Sequence, residues 1–309
     1  MMRYLVGQLF SAAVVILGVS VAVFAITHVI PGDPVEVMLG ERASTADRAE
    51  LARAYGLDKP LSGQFADYYS GLVRLELGES IYQQRPVVEL IGERLPATLE
   101  LALAAMLVSL AIAFAVGLLS ALRPYGWLDH SARIVSLLGV SIPNFWLGPM
   151  LILVGSLYLG WFPVSGRSGF GSLVLPALTL GTALAAIISR MLRNALLEVS
   201  GADFVRTARA KGLSEWQILC RHNLRNALLP VVTLVGLQIG AILGGSVIVE
   251  TVFSWPGVGS LTVESIQRRD YPLVQGCVLL IATLYVAVNL LTDLLYTVID
   301  PRIRLVGDK

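Results

Sequence analysis

The chain has 309 residues, of which 55% are hydrophobic and only 15% charged, with a mean hydropathy of +0.72. A soluble domain carries about 25% charged residues, so the composition excludes an ordinary soluble protein and points to an integral membrane protein. The net charge of +1 excludes a nucleic-acid binder on electrostatic grounds, Cys220 and Cys277 fall in unlike contexts that predict neither a disulfide nor a metal site, and none of Lys59, Lys211 and Lys309 stands in a phosphate-cradling GxxxxGK(S/T) pattern.

Six apolar stretches, 9–30, 97–122, 134–160, 173–192, 230–252 and 273–298, reach the length of about 20 residues that a bilayer demands. Each must satisfy its own backbone hydrogen bonds in lipid, which predicts helices, and the alternation of a barrel is absent. The first stretch is too long for a secretory leader and lacks a small-residue cleavage site, so it reads as a retained span. Arginines and lysines concentrate in the loops on the side of the N-terminus, with Arg167, Arg268 and Arg269 in the short loops opposite. The positive-inside rule then predicts six spans with both termini in the cytoplasm. The organisation expected is a first transmembrane helix (1–30), an extracytoplasmic module (31–96), a core of helices two to six (97–299) and a cytoplasmic tail (300–309).

The module opens on Pro31-Gly32-Asp33-Pro34, a rigid turn. Ser44 and Asp47 form a capping-box-like start to a short helix that Gly56 can close. Leu61, Phe65, Tyr68, Tyr69 and Leu72 share one helical face. Val87, Val88, Leu90, Ile91 and Leu95 predict a helix lying on the membrane, which turns at Pro96 into the second span. The module is either an apolar lid packed on the spans or a surface that receives a partner.

Span three carries Pro143 and Pro149 and is expected to kink or break. Ser141, Asn144 and Trp146 put polar and aromatic groups at membrane depth there, where they line a pathway or pack between helices. Thr179 and Thr182 in span four, Gln238 and Ser246 in span five and Asn289 in span six complete the candidate translocation path. Gly236, Gly240 and Gly244 recur at every fourth position of span five, a pattern for close helix packing. The run from Phe253 to Gly259 predicts two interfacial aromatics ahead of a re-entrant or surface helix. Asp293 shares a face with Asn289 and reads as a structural pairing near the end of span six. Asp300-Pro301 stops that helix.

Between spans four and five lies a polar island, 193–229, with six basic residues (Arg193, Arg206, Arg209, Lys211, Arg221, Arg225) against Glu198, Asp203 and Glu215. Two helices are predicted, 198–211 and 214–228, broken at Gly212, with Ser214 capping the second. Phe204, Leu213, Trp216, Ile218 and Leu219 among the charges argue against a merely solvated loop. His222 is its only histidine and has no partner at a catalytic spacing. No filter sequence or charged ring marks a channel, and no inverted repeat or set of convergent intramembrane charges marks a stand-alone secondary transporter. A surface helix pair between two spans suits docking of a soluble partner, either to drive transport or as a scaffold.

These residues resemble a known family over nearly the whole chain: the permease subunit of bacterial ABC importers of the oligopeptide, dipeptide and nickel class. The landmarks are Ile30-Pro31-Gly32-Asp33-Pro34, Gly56-Leu57-Asp58-Lys59-Pro60, Pro96-Ala97-Thr98-Leu99-Glu100, DFVRTARAKGLS at 203–214, His222 with LRNALLPVVT at 224–233, FSWPGVG at 253–259, RRDYP at 268–272 and DPRIR at 300–304. The general importer loop has Glu-Ala-Ala where this chain has Arg206-Thr207-Ala208, and Pro230 stands eighteen residues after Gly212 rather than about thirteen. The role of that glutamate therefore does not transfer. The resemblance implies an all-α, type I importer permease fold in the bacterial inner membrane, non-enzymatic in itself. It implies a second homologous permease subunit, two ATPase subunits holding ATP and magnesium, and an extracytoplasmic substrate-binding protein. The ATPase-coupling residues it implies are Asp203, Arg206, Thr207, Ala208, Arg209, Ala210, Lys211, Gly212, Leu213 and Ser214. The cargo expected is a di- or oligopeptide, with nickel, metal chelates or glutathione as alternatives.

Overall fold

The computed structural model describes residues 2–29, 35 and 45–299. The turn at 31–34, Ser44 and the stop at 300–304 lie outside the described residues. The helices in chain order are α1 (Met2–Val29), α2 (Thr45–Ala54), α3 (Leu61–Val73), α4 (Val87–Leu122), α5 (Trp127–Ser141), α6 (Asn144–Leu151), α7 (Phe170–Ser200), α8 (Asp203–Ala210), α9 (Glu215–Ile218), α10 (Leu224–Val252), α11 (Val258–Gln267) and α12 (Tyr271–Ile299). A π-helical segment, Ile152–Tyr158, extends α6, and another, Leu219–Asn223, joins α9 to α10. Among the described residues the only strand-like pairing is a bridge from Glu79 to Pro86. Five helices are long and apolar enough to cross a membrane, and α5 with α6 makes a sixth span if the bent pair counts as one. The protein is an all-α integral membrane protein.

That pair is bent by 104° at Ile142-Pro143. Pro143 disfavours helical geometry in the residue before it, and Ile142 is extended (φ −83°, ψ 117°). Pro149 does not break α6, which continues past it into π geometry.

The central pair is α4 against α7. Small residues let the two backbones approach. A Cβ on Gly181 would sit 2.8 Å from the Ala105 carbonyl oxygen, and one on Gly117 would sit 3.0 Å from Leu192. Close approach of this kind is what holds helices together in lipid, where apolar burial alone gives little preference. A main core runs from Leu101 and Ala105 through Leu180 and Leu184 to Val249, Phe253 and Trp255.

Helix α4 corrects one expectation. Residues 87–95 do not lie on the membrane and turn at Pro96; they continue the span as one helix of 36 residues, about 54 Å long at 1.5 Å per residue. Val87, Leu90 and Ile91 are buried against Val258, Leu261, Leu273 and Cys277. Three such burials stabilise by roughly 1.5–3 kcal/mol each, which together exceeds the ~3 kcal/mol cost of a proline inside a helix.

The module does pack on the spans as a lid. Phe24 of α1 meets Phe65 edge-on at 5.1 Å and Tyr68 at 5.7 Å, and Ser20 hydrogen-bonds the Tyr69 hydroxyl at 2.7 Å. Gly56, with φ +66°, ends α2 as its position suggests. At the other edge Asp270 is buried, caps α12 through the Leu273 amide, and accepts hydrogen bonds from Ser80 Oγ and the Ile81 and Tyr82 amides. Phe253 and Trp255, expected at the interface, are instead buried at 2% and 0% exposure, and Trp255 Nε1 donates to the Ala97 carbonyl at 2.8 Å. Indole burial needs such a partner, and the first turn of the spanning part of α4 supplies it.

The glycine pattern of α10 is half right. Gly236 packs against Thr292 and Gly240 against Tyr285, both on α12, with no room for a Cβ at either. Gly244 has nothing within 4 Å. Every fourth residue advances about 40° around a helix, so Gly244 lies about 80° from Gly236 and has rotated out of the contact. Gly236→Val is expected to cost about 1–3 kcal/mol or more by overpacking, because the Thr292 Cβ itself, not only its rotatable end, blocks the space. Gly244→Val should leave the thermal midpoint of the purified chain unchanged, so comparing the two melts checks the assignment. Asp293 is paired, as expected: it accepts from Gln8 Nε2 of α1 at 2.8 Å.

Candidate functional site

Helix α7 runs on to Ser200, beyond its predicted end, and α8 begins anew at Asp203. The second predicted island helix is not separate either. Glu215 to Val252 is one continuous helical run of 38 residues, so what docks on α9 bears directly on span five. Nothing between Ser214 and Pro230 breaks the helix; the strain is taken up by the π turn at Leu219–Asn223. The polar turns before Pro230 carry Glu215, Arg221 and Arg225 and extend outside the apolar stretch.

The link between α8 and α9 is tightly specified. Gly212 has φ +81°, its amide donates to the Arg209 carbonyl at 2.9 Å, and the Leu213 amide donates to the Ala208 carbonyl at 3.3 Å. This is the paired-bond Schellman ending, which asks for glycine at the left-handed position and an apolar residue after it. Leu213 fulfils the second requirement by packing on Val205, Ala208 and Ile218. Burying Val205 and Ile218, each 0% exposed, stabilises by roughly 1.5–3 kcal/mol apiece. Ser214 then starts α9 with a complete capping box: Ser214 Oγ accepts from the Gln217 amide at 3.3 Å and the Ser214 amide donates to Gln217 Oε1 at 3.0 Å. Arg209 clamps Glu215 across the turn through Nε at 2.6 Å and Nη2 at 3.0 Å. That clamp holds the Glu215 carboxyl below its usual range, so its contribution is complete above the ordinary carboxylate pKa and is lost as pH falls through the lowered one. At the base, Asn223 Nδ2 donates to Ser200 Oγ at 2.9 Å, tying the π turn to α7.

The ten residues named for coupling therefore divide. Ala208 is buried and Leu213 half-buried, facing inward, while Gly212 and Ser214 shape the turn. Asp203, Arg206, Thr207, Arg209, Ala210 and Lys211 are exposed. Exposed beside them are Phe204 at 43% and Trp216 at 56%. Two large apolar side chains thus stand exposed amid cations on a tightly specified corner between spans.

Of the path candidates, Thr182 faces a cleft of about 270 Å³ between α4, α5, α6 and α7, beside Ser136 and Ser189. Ser141 and Trp146 are exposed and Asn144 half-buried near the bend. Thr179 is buried and bonded to the Leu175 carbonyl, and Ser246 is buried and bonded to the Leu243 carbonyl. Gln238 is half-buried on α10. Asn289 on α12 has a buried, unpartnered Oδ1 among the described residues. Of these residues, only Thr182 lines the cleft described here.

Besides Asp270, two more buried carboxylates escape a sequence reading. Asp129, at the island end of α5, is fully buried and accepts from Arg193 Nε at 2.5 Å and Nη2 at 2.7 Å, from Arg133 Nη2 at 2.9 Å and from the Tyr125 amide at 2.9 Å. Glu250, at the far end of α10, is also 0% exposed and accepts from Thr98 Oγ1 at 2.8 Å and the Ser260 amide at 2.9 Å. Arg133 stands only four residues from Asp129, but the forked partner Arg193 lies 64 residues away and Thr98 lies 152 residues from Glu250, so local spacing does not announce their burial. The only signal is an acid set in apolar surroundings, as in Val249-Glu250-Thr251.

Known proteins agree with this architecture. Residues 113–305 match the family model of the binding-protein-dependent transport system inner membrane component, and residues 1–102 match that of its N-terminal membrane component. The chain is 42% identical to the dipeptide transport system permease protein DppB of Escherichia coli K12, covering 98% of this chain and 99% of that one. It is 46% identical to the di/tripeptide transport system permease protein DppB of Pseudomonas aeruginosa, covering 93% and 94%, and 41% identical to the glutathione transport system permease protein GsiC of Escherichia coli K12, covering 98% and 99%. In fold it is similar to a chain of the MetNI methionine ABC transporter, with a TM-score of 0.58, 22% identity and coverage of 68% of this chain and 96% of that one. The chain belongs to the binding-protein-dependent transport family and is a multi-pass inner-membrane permease component of an ABC importer.

Proposed function

We infer that the chain forms one half of the pore of an ATP-driven importer of di- or oligopeptides, with the corner at 203–216 receiving an ATPase subunit. The observation that carries this reading is the rigid Schellman and capping-box corner, continuous with span five, exposing Phe204, Lys211 and Trp216. Closure of the ATPase pair would move this corner as one piece and push on α10, switching the pore between two facing states. Hydrolysis itself belongs to the separate ATPase subunits, which hold ATP and magnesium. Both termini lie in the cytoplasm on this reading, and residues 45–86 face outward, supported by the basic residues of the island.

A second, homologous permease completes the pore. Leu237, Ala241, Gly244, Ile248 and Thr251 are all exposed and fall within about 80° of one another on α10. This small-residue face, left open by α12, suits a second wall. Of the path candidates, the exposed Ser141 and Trp146 are then left for such an interface. Peptide cargo is favoured by the relatives named for dipeptide, di/tripeptide, oligopeptide and glutathione transport. Calorimetry on the cognate binding protein with dipeptides against nickel chelates decides between peptide and metal.

Reconstituted uptake tests the coupling. Proline cannot adopt φ +81°, so Gly212→Pro should abolish ATP-coupled uptake while the chain still inserts. Lys211→Glu is the cleaner probe of docking, since Lys211 is exposed without an ion pair among the described residues, whereas Arg209 already serves Glu215. Unchanged coupled uptake in both variants would remove the corner from the mechanism. Transport by this chain in liposomes without any ATPase would overturn the importer reading altogether.

A further inference from the structure

One cavity formed by described residues contains none of the corner or candidate-path residues. It has a volume of about 430 Å³ and opens between α1, α3, the segment 76–81 and the start of α12. This lies within the ~300–1,000 Å³ typical of small-ligand sites. Its inner wall is aromatic: Phe24, Tyr68 and Tyr271 line it, with Phe24 and Tyr68 held at 5.7 Å centroid separation. Its rim is acidic: Asp67, Glu76 and Glu79 line it and are exposed. Asp67 is committed to Lys59 at 2.7 Å. Glu76 and Glu79 form no ion pair among the described residues.

Aromatic faces attract a cation by their quadrupole, guanidinium most of all when its flat face can stack. Carboxylates at the mouth select the same sign of charge and steer its approach. A rim of free carboxylates over a wall of rings therefore fits one chemistry: a guanidinium or alkylammonium on an apolar stem. The walls are fixed in place. Asp270 fastens the adjoining segment through Ser80 and Ile81, and Gln275 Nε2 donates to Thr27 Oγ1 at 3.1 Å behind the cavity.

We propose that this pocket is a socket for an arginine or lysine side chain presented by the soluble binding protein when it docks on the outer face. The proposal rests on the importer reading and on the outward placement of the module. A side chain of a docking protein fits better than free cargo for two reasons. None of the lining residues belongs to the candidate path, and Gln275 of the lining is bonded to Thr27, which ties α12 to α1 beside the cavity. The socket also gives the module a task that a lid packed on the spans does not explain.

The test uses the complete importer in nanodiscs, with immobilised binding protein and surface plasmon resonance at low and high salt. The double variant Glu76→Gln, Glu79→Gln removes two exposed charges and no packing, and its basal ATP hydrolysis should equal that of the parent. Affinity for the binding protein is expected to fall about tenfold at low salt, and its salt dependence to flatten. Unchanged affinity and salt dependence would overturn the socket. A second arm offers free arginine amide to the importer without its binding protein. Submillimolar binding that the double variant abolishes would make the pocket a solute site and overturn the docking assignment. Failure of the importer reading itself would show differently, as no binding by the parent complex.

Discussion

Arg193→Ala is expected to destabilise the chain by about 3–5 kcal/mol, because it strands a buried carboxylate. Asp129 is 0% exposed, and Arg193, with a side chain only 12% exposed, supplies two of its four hydrogen bonds in a forked geometry. Arg133→Ala removes one bond from a side chain 40% exposed and should cost under ~1 kcal/mol, the scale of solvent-screened pairs. Arg193→Lys should fall between, since an ammonium carries the charge but cannot present the planar fork. The measurement is the thermal midpoint of the purified chain in detergent for all three. If Arg193→Ala melts no lower than Arg133→Ala, Asp129 is not the anchor of α5 on α7. The pair also reassigns one cation of the island: Arg193 holds the bundle together rather than meeting a partner.

What was legible in the sequence was whatever local chemistry decides. Gly212 announces a left-handed helix ending, Ser214 a cap and Pro143 a break, and each stands where its own backbone requirement puts it. The aromatic face of α3 was visible as a helical period, and its docking on Phe24 follows. What failed was whatever distant packing decides. Pro96 looked like a helix start, but burial of Val87, Leu90 and Ile91 on α11 and α12 carries the helix straight through it. The break between two island helices and span five was misjudged for the same reason: no local residue says where one helix stops being separate from the next. Gly244 was misplaced by treating a spacing of four as a stripe, when such a stripe winds around the helix. The burial of Asp129, Glu250 and Asp270 is not legible locally, because each has a decisive partner far along the chain: Arg193, Thr98 and the Ser80–Ile81 segment. The candidate path was not legible because its residues do not share one surface: Ser141 and Trp146 are exposed, Thr182 faces a cleft, and Thr179 and Ser246 are buried and bonded within their own helices.

Glu250→Ala is expected to loosen the corner where α10 meets α11 while leaving the corner at 203–216 intact. The Val258 amide donates to Thr98 Oγ1 at 2.8 Å, Thr98 donates on to Glu250 Oε1, and the Ser260 amide donates to Oε2. One carboxyl thus binds the end of α10, the start of α11 and the first turn of the spanning part of α4. Gly257 and Gly259 lie so close to it that neither has room for a Cβ, so the surrounding loop is shaped to this side chain. Alanine would leave the buried Thr98 hydroxyl and the part-buried Ser260 amide as unmatched donors, at about 1–3 kcal/mol for the first and less for the second. Glutamine fills the space but sets an amide NH₂ against one of those two donors, so it should cost roughly 1–3 kcal/mol rather than the sum. Trp255→Phe is the comparison: it keeps most of the burial, loses only the Nε1–H donor to Ala97, and should cost about 0.5–1.5 kcal/mol from that bond. The order expected in thermal melts is Glu250→Ala lowest, then Glu250→Gln, then Trp255→Phe. Copurification of ATPase subunits should be retained throughout, because α8 and α9 lie at the opposite end of α10. A Glu250→Ala chain that melts with the parent would show that the carboxyl is a passenger in its loop, and loss of the ATPase subunits would show that the two ends of α10 are not separable.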